Sequence, residues 1–105
     1  MKNFSPRLKK CVSQGDLTVK DLTYWFDRPY PTLWTWVYDG REPRGSNGFR
    51  RKLYERLDLL EHAIRKGLGF PVPDDMSDRS PERKKHIRGV RDGLEAGGVS
   101  ALRSA

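Results

Sequence analysis

The side chains best suited to non-covalent recognition lie between residues 18 and 43, a stretch with seven of the chain's eleven aromatic residues. Five of them are aromatic or carry a hydroxyl group and belong to one short predicted helix: Tyr30, Thr32, Trp34, Thr35 and Tyr38. Threonine can bond a base edge or touch a thymine methyl group, and tyrosine hydroxyls can reach phosphates. Four cations that can pair with phosphates flank the same helix: Lys20, Arg28, Arg41 and Arg44. This combination favours a surface that binds a polyanion.

The residue types that usually carry covalent or metal chemistry are scarce. His62 and His86 lie far apart in sequence, and neither has a cysteine or a second histidine at metal-ligand spacing. Cys11 is the single cysteine, so it can form no internal disulfide. Neither a Gly-rich phosphate loop nor a nucleophile elbow is present. We therefore expect no enzyme, no metal site and no cofactor.

Two short helices joined by a tight turn are predicted to position the recognition side chains. Val19, Leu22 and Phe26 form one apolar stripe, and Asp16 and Thr18 are able to cap its start. Residues 27–29 end this helix, because Pro29 disfavours helical geometry in the residue before it. A second helix should begin near Tyr30, with two prolines in or near its first turn. Its buried face is predicted to hold Leu33, Trp36 and Val37.

The stretch resembles the helix-turn-helix of small bacterial and phage DNA-binding proteins. The matching residues are Leu22-Thr23, Phe26 and Asp27, then Leu33-Trp34-Thr35-Trp36 and the exit Gly40-Arg41-Glu42-Pro43. Thr23 replaces the family's small alanine and Arg28 its apolar turn residue. Asp27 replaces its turn glycine, and aspartate tolerates the left-handed conformation better than most residues.

The resemblance implies that the second helix enters the major groove of double-stranded DNA. The five aromatic and hydroxyl-bearing residues above would then face the bases, and the four flanking cations would contact phosphates. It further implies a phage or bacterial transcriptional regulator that acts as a dimer. The helix lacks the Arg, Lys, Asn and Gln that usually recognise base edges, so we expect weak sequence readout.

Length and composition limit the remaining possibilities. The chain has 105 residues, of which 35% are hydrophobic and 33% charged, enough for one small domain and a tail. Its net charge of +7 favours nucleic acid as a partner. No run approaches membrane-spanning length, and the start MKNFSPRLKK lacks the apolar core of a signal peptide. We therefore expect a cytoplasmic protein with no membrane partner.

Two further helices should complete the domain. Ser5 can cap a first helix with Pro6 at its first position. A long helix is predicted from Ser46 to Gly67, and its apolar seam consists of Leu53, Leu57, Leu60 and Ile64. This seam suits either packing against the first three helices or a homodimer contact, and the helix can serve both roles on different faces.

Beyond the long helix we expect a linker that lies on the domain through Phe70 and Val72. A last helix should begin at Ser80-Pro81, carry a thin apolar stripe and end at Gly97-Gly98. Its basic face is a second candidate for phosphate contact and contains Arg83, Lys84, Lys85, Arg88 and Arg91. This helix could dock on the core, or remain free and become ordered on binding a partner.

The sequence therefore predicts an all-α fold with a helix-turn-helix core of three short helices, a long fourth helix, a linker and a basic C-terminal helix. We expect a domain over residues 1–67, a Pro-containing linker over 68–79, and the basic helix and tail over 80–105. Two other functions remain open. The order of elements also resembles small terminase subunits, oligomers that mark viral DNA for packaging. Alternatively, the Tyr30/Trp34/Tyr38 face could bind a protein partner.

Overall fold

The computed structural model describes residues 3–77 and 79–104, with side chains up to residue 97, and contains five helices in that part of the chain. They are α1 (Phe4–Gly15), α2 (Val19–Phe26), α3 (Tyr30–Tyr38), α4 (Asn47–Lys66) and α5 (Pro81–Ser104). No strand occurs in the described ranges, and the predicted all-α class is confirmed.

Local capping signals determine several helix ends, as the sequence predicted. Thr18 accepts a hydrogen bond from Asp21 N at 3.1 Å, and the Asp21 carboxylate accepts one from Thr18 N at 3.0 Å. This reciprocal pair satisfies two N–H groups that lack partners at the start of α2. Ser46 caps α4 by accepting from Phe49 N at 3.2 Å, and Gly67 ends that helix in the left-handed conformation with φ of 68°.

The predicted start of α1 is wrong, because its cap comes from a distant residue. The helix begins at Phe4, and the Glu42 carboxylate accepts hydrogen bonds from Phe4 N at 2.8 Å and Ser5 N at 2.9 Å. The Ser5 hydroxyl is buried and donates to the Trp36 carbonyl instead of capping the helix. Pro6 therefore lies at the third helical position, where its missing N–H still removes no intrahelical bond.

The core is aromatic where α1, α2 and α3 meet. Phe4 makes edge contacts with Trp36 at 5.2 Å and with Phe26 at 5.8 Å between ring centroids. Such contacts add to the stabilisation from apolar burial. Cys11 is buried on the side of α1 that faces α4, and burial raises its pKa to about 12. Its thiol therefore stays protonated and unreactive at neutral pH.

The apolar seam of α4 packs inside the chain. Leu53, Leu57 and Leu60 are buried against the other helices, and Ile64 is half-buried beside Gly15. Of the two roles that the sequence left open, packing against the domain is confirmed for these residues. Because its leucines are covered, the seam does not offer a surface for a homodimer contact.

The segment after α4 and the helix α5 both lie on the first four helices. Phe70 and Val72 are buried as predicted, and the Phe70 ring contacts Trp25 at 5.7 Å. Helix α5 packs on α2 and α4 around the buried Ile87, so it is docked. It also continues to Ser104, past the two glycines where its end was predicted. Glycine inside a helix costs only about 1 kcal/mol relative to alanine and does not forbid continuation.

Candidate nucleic-acid interface

Helix α3 separates a buried face from an exposed one. Leu33, Trp36 and Val37 are buried, as the spacing predicted. The opposite stripe is open to solvent, with 49% exposure for Tyr30, 41% for Trp34 and 55% for Tyr38. The Trp34 and Tyr38 rings lie 5.3 Å apart, so they form one continuous aromatic surface. A surface of this kind on a nine-residue helix is available to a partner.

The turn between α2 and α3 orients that surface. Asp27 adopts the left-handed conformation, with φ of 55°, in the place where the resembling family has glycine. Arg28 follows, and its guanidinium lies 4.8 Å from the centre of the Phe49 ring at the start of α4. This cation–π contact holds the Arg28 charge beside the first turn of α3.

Three arginines gather in one groove beside α3, which we call the arginine groove. Thr32 and Thr35 form its wall on the helix, and Arg28, Arg41 and Arg44 surround them. The loop that carries Arg41 is tied to the helix, since Arg41 N donates to the Thr35 carbonyl at 3.2 Å. The structure thus brings together three of the four predicted phosphate-binding residues and two of the predicted base-facing residues.

The arginine groove also contains a carboxylate, but this carboxylate is already bonded. Glu42 accepts the two N–H groups at the start of α1, and Tyr54 Oη lies 3.4 Å from it. The partial positive charge of the helix N-terminus stabilises this anion. Arg41 and Arg44 are exposed and form no ion pair with another described residue, so their guanidinium groups are accessible to a ligand.

The threonine hydroxyls of the arginine groove differ in what they can offer. Thr35 Oγ1 donates to the Thr32 carbonyl at 2.8 Å, so its proton is used within the helix. Its oxygen can still accept a hydrogen bond from a base amino group, and its methyl group can contact thymine. Both residues are half-buried, so only a partner that enters the groove would contact them.

The fourth predicted phosphate-binding residue lies in a second depression, which we call the lysine cleft. Lys20 lines it together with Arg79 and Lys84, around Tyr24 and Tyr30. The Nζ atoms of Lys20 and Lys84 lie 5.8 Å and 6.0 Å from the centre of the Tyr24 ring. Lys84 comes from the predicted basic face of α5, so the cleft combines residues that the sequence assigned to two separate sites.

The five predicted basic residues of α5 do not share one exposed face. Arg83 donates two hydrogen bonds of 2.6 Å to the buried Asp21, and Arg91 is 7% exposed and donates to Asp27 at 2.7 Å. Arg88 donates to the second oxygen of Asp27 at 3.0 Å. Only two of the five, Lys84 and Lys85, are exposed.

The inward arginines stabilise the end of α2. Arg91 donates to the carbonyls of Tyr24 and Trp25, at 3.0 Å and 3.2 Å, and Arg56 donates to the Phe26 carbonyl at 3.2 Å. Cations at a helix C-terminus satisfy carbonyls that lack intrahelical partners. The sequence does carry a signal for this role, because Arg83 and Arg91 flank Ile87 at spacings of four and share its buried face.

Neither a metal-binding cluster nor a membrane-spanning helix occurs among the described residues. No three His, Cys, Asp or Glu residues among them are grouped so that they could hold a metal ion. None of the helices formed by these residues combines the length and the apolar composition needed to cross a bilayer.

Three comparisons with known proteins complete the description of the site. Protein-family models, curated protein sequences and solved structures gave no match to the chain. The likeness to helix-turn-helix proteins therefore rests on the residues of the 18–43 stretch.

Proposed function

We propose that the protein binds double-stranded DNA and places the exposed face of α3 in the major groove. The observation that carries this proposal is the gathering of Arg28, Arg41 and Arg44 around the Thr32/Thr35 edge of the helix. The three arginines come from the turn before α3 and the loop after it, so they flank the helix at both ends. Phosphate contacts from such positions fix the orientation of a helix that lies in a groove.

The dimensions of α3 suit this placement. A helix with its side chains is about 10–12 Å wide, and the major groove is about 12 Å wide. Tyr30, Trp34 and Tyr38 would point into the groove, with Thr32 and Thr35 toward one of its edges. Since α3 carries no Arg, Lys, Asn or Gln, the energy of binding would come mainly from phosphates. We expect a modest preference among sequences, set by the threonines and by contacts with thymine methyl groups.

A protein partner is the second candidate, and the aromatic surface favours it. Trp and Tyr dominate the energetics of many protein interfaces, and Trp34 and Tyr38 are paired and exposed. The two candidates differ in what they need from the arginine groove. A protein that docks on the aromatic rings does not require three arginines at their border, whereas DNA does.

The first test replaces Arg41 and Arg44 together by alanine. Binding should weaken for every duplex sequence, and the plot of log affinity against log salt should flatten by about 0.9 for each phosphate that is no longer contacted. A fluorescence titration of a labelled duplex over a range of salt concentrations measures both effects. Thr35→Ala should instead change which sequences are preferred, as a selection from a random DNA pool would reveal.

A matched control removes two arginines elsewhere. Arg51 and Arg65 are exposed residues of α4 outside the arginine groove and the lysine cleft, and their double alanine variant has the same net charge as the Arg41/Arg44 variant. The proposal requires the control to keep nearly the parent salt slope. Equal losses in both variants would mean that only net charge matters, and a parent slope in the Arg41/Arg44 variant would favour the protein partner.

A further inference from the structure

The lysine cleft carries positive charge that no carboxylate of the described residues neutralises. Lys20, Arg79 and Lys84 come from α2, from the segment before α5 and from α5 itself, and they line one depression of about 780 Å³. Within residues 3–77 and 79–97, none of the three forms an ion pair. Two other cations of α5 do form ion pairs: Arg83 binds the carboxylate of Asp21, and Arg88 binds that of Asp27.

The two lysines of the cleft contact the same aromatic ring. Both ammonium groups lie within 6.0 Å of the centre of the Tyr24 ring, which is buried and attracts each of them through its π face. Cations that line one depression attract an anion that enters it. A phosphate oxygen is a suitable anion, since each ammonium group has three N–H donors.

The position of the cleft relative to α3 indicates the source of the phosphate. Tyr30 lines the lysine cleft and Thr32 lines the arginine groove. With 3.6 residues per helical turn, these two residues lie about 200° apart around the exposed side of α3. The exposed aromatic face lies between them, so cations border that face on both edges. A helix in the major groove is likewise bordered by two phosphate backbones, one on each side.

We propose that the lysine cleft holds backbone phosphates of the DNA strand on the Tyr30 side of α3, while the arginine groove holds those of the other strand. This inference rests on the proposed function and adds α5 to the interface. Helix α5 takes part through Lys84, and the segment before it through Arg79. The arginines of α5 that point inward fix its position on α2, which in turn fixes Lys84 beside Lys20.

The test replaces Arg79 and Lys84 together by glutamine, which removes two charges and keeps a polar side chain at each position. Salt-dependent titration of a labelled duplex should show a slope lower by about 0.9 for each phosphate that is no longer contacted, for every sequence. The control is the Arg51→Gln, Lys52→Gln double variant, which removes one arginine and one lysine at exposed positions of α4 outside the arginine groove and the cleft. It should keep nearly the parent slope. Thermal unfolding of both variants checks that the fold is retained.

Separate outcomes distinguish the failure of this inference from the failure of the proposed function. If the parent and the control bind DNA and the Arg79/Lys84 variant has the same slope as the control, the cleft does not contact the backbone, and the function stands. If the parent itself shows no salt-dependent binding to duplex DNA, both fail. Saturable binding of inorganic pyrophosphate that the glutamines abolish, with an unchanged DNA slope, would reassign the cleft to a small phosphate ligand.

Discussion

Trp36→Ala should lower the free energy of unfolding by about 3–5 kcal/mol, a large part of the stability of a domain of this size. The side chain is 5% exposed and makes edge contacts with Phe4 and with Phe26. Alanine leaves a cavity at the junction of α1, α2 and α3. Urea unfolding followed by circular dichroism measures the loss.

Trp34 provides the matched control on the same helix. It has the same side chain but is 41% exposed, and its ring packs against that of the exposed Tyr38. We expect Trp34→Ala to cost about 1 kcal/mol, because a surface aromatic pair contributes little. This variant should change the preference among DNA sequences instead. A stable Trp36→Ala protein with reduced DNA affinity would reverse the assignment of the two faces of α3.

Asp21→Asn should also be strongly destabilising, by about 3–5 kcal/mol, because a neutral amide then replaces the buried carboxylate that forms an ion pair with Arg83. Asp21 is 1% exposed, and both of its oxygens accept hydrogen bonds of 2.6 Å from Arg83. The pair joins α2 to α5, so its loss should loosen α5 first. Hydrogen exchange of the α5 amides, together with denaturant unfolding, would measure this.

Two further variants separate the buried charge from general effects of the substitution. Asp58→Asn removes a partner of Arg7. The Asp58 side chain is 48% exposed, and surface pairs of this kind contribute about 0–1 kcal/mol. Adding Arg83→Met to Asp21→Asn should recover part of the loss, since the largely buried positive charge that Asp21 balanced is then absent as well. If Asp21→Asn costs no more than Asp58→Asn, α5 is not held by this ion pair.

The most accurate predictions from the sequence concern features that depend on residues close together in the chain. Thr18 and Ser46 cap their helices through residues three positions later, and Gly67 ends α4 through its own backbone conformation. The two faces of α3 also follow from local spacing, because helical periodicity fixes which side chains lie together. These features determine most of the helix boundaries and the exposed aromatic surface.

Features that depend on contacts between distant residues could not be predicted in this way. Glu42 caps α1 across 38 positions, and Arg83 bonds to Asp21 across 62. The sequence analysis assigned Arg83 and Arg91 to an exposed basic face because arginine is mostly found at surfaces, although their spacing of four from Ile87 puts them on its buried side. The buried carboxylate of Asp21 reverses that expectation for Arg83, and the carbonyls at the end of α2 reverse it for Arg91. Both sets of partners become visible only when α5 is placed on α2. The lysine cleft was not predicted for the same reason, because its cations come from separate segments of the chain.

Amide NMR mapping of the isotopically labelled protein, during titration with a short duplex at low salt, would locate the DNA-binding surface. If α3 lies in the major groove, the largest shifts should fall on α3, on the turn at Arg28 and on the loop through Arg41 and Arg44, and added salt should reverse them. Shifts confined to α1 and the exposed side of α4, or no shifts at any DNA concentration, would contradict the placement of α3 in a DNA groove.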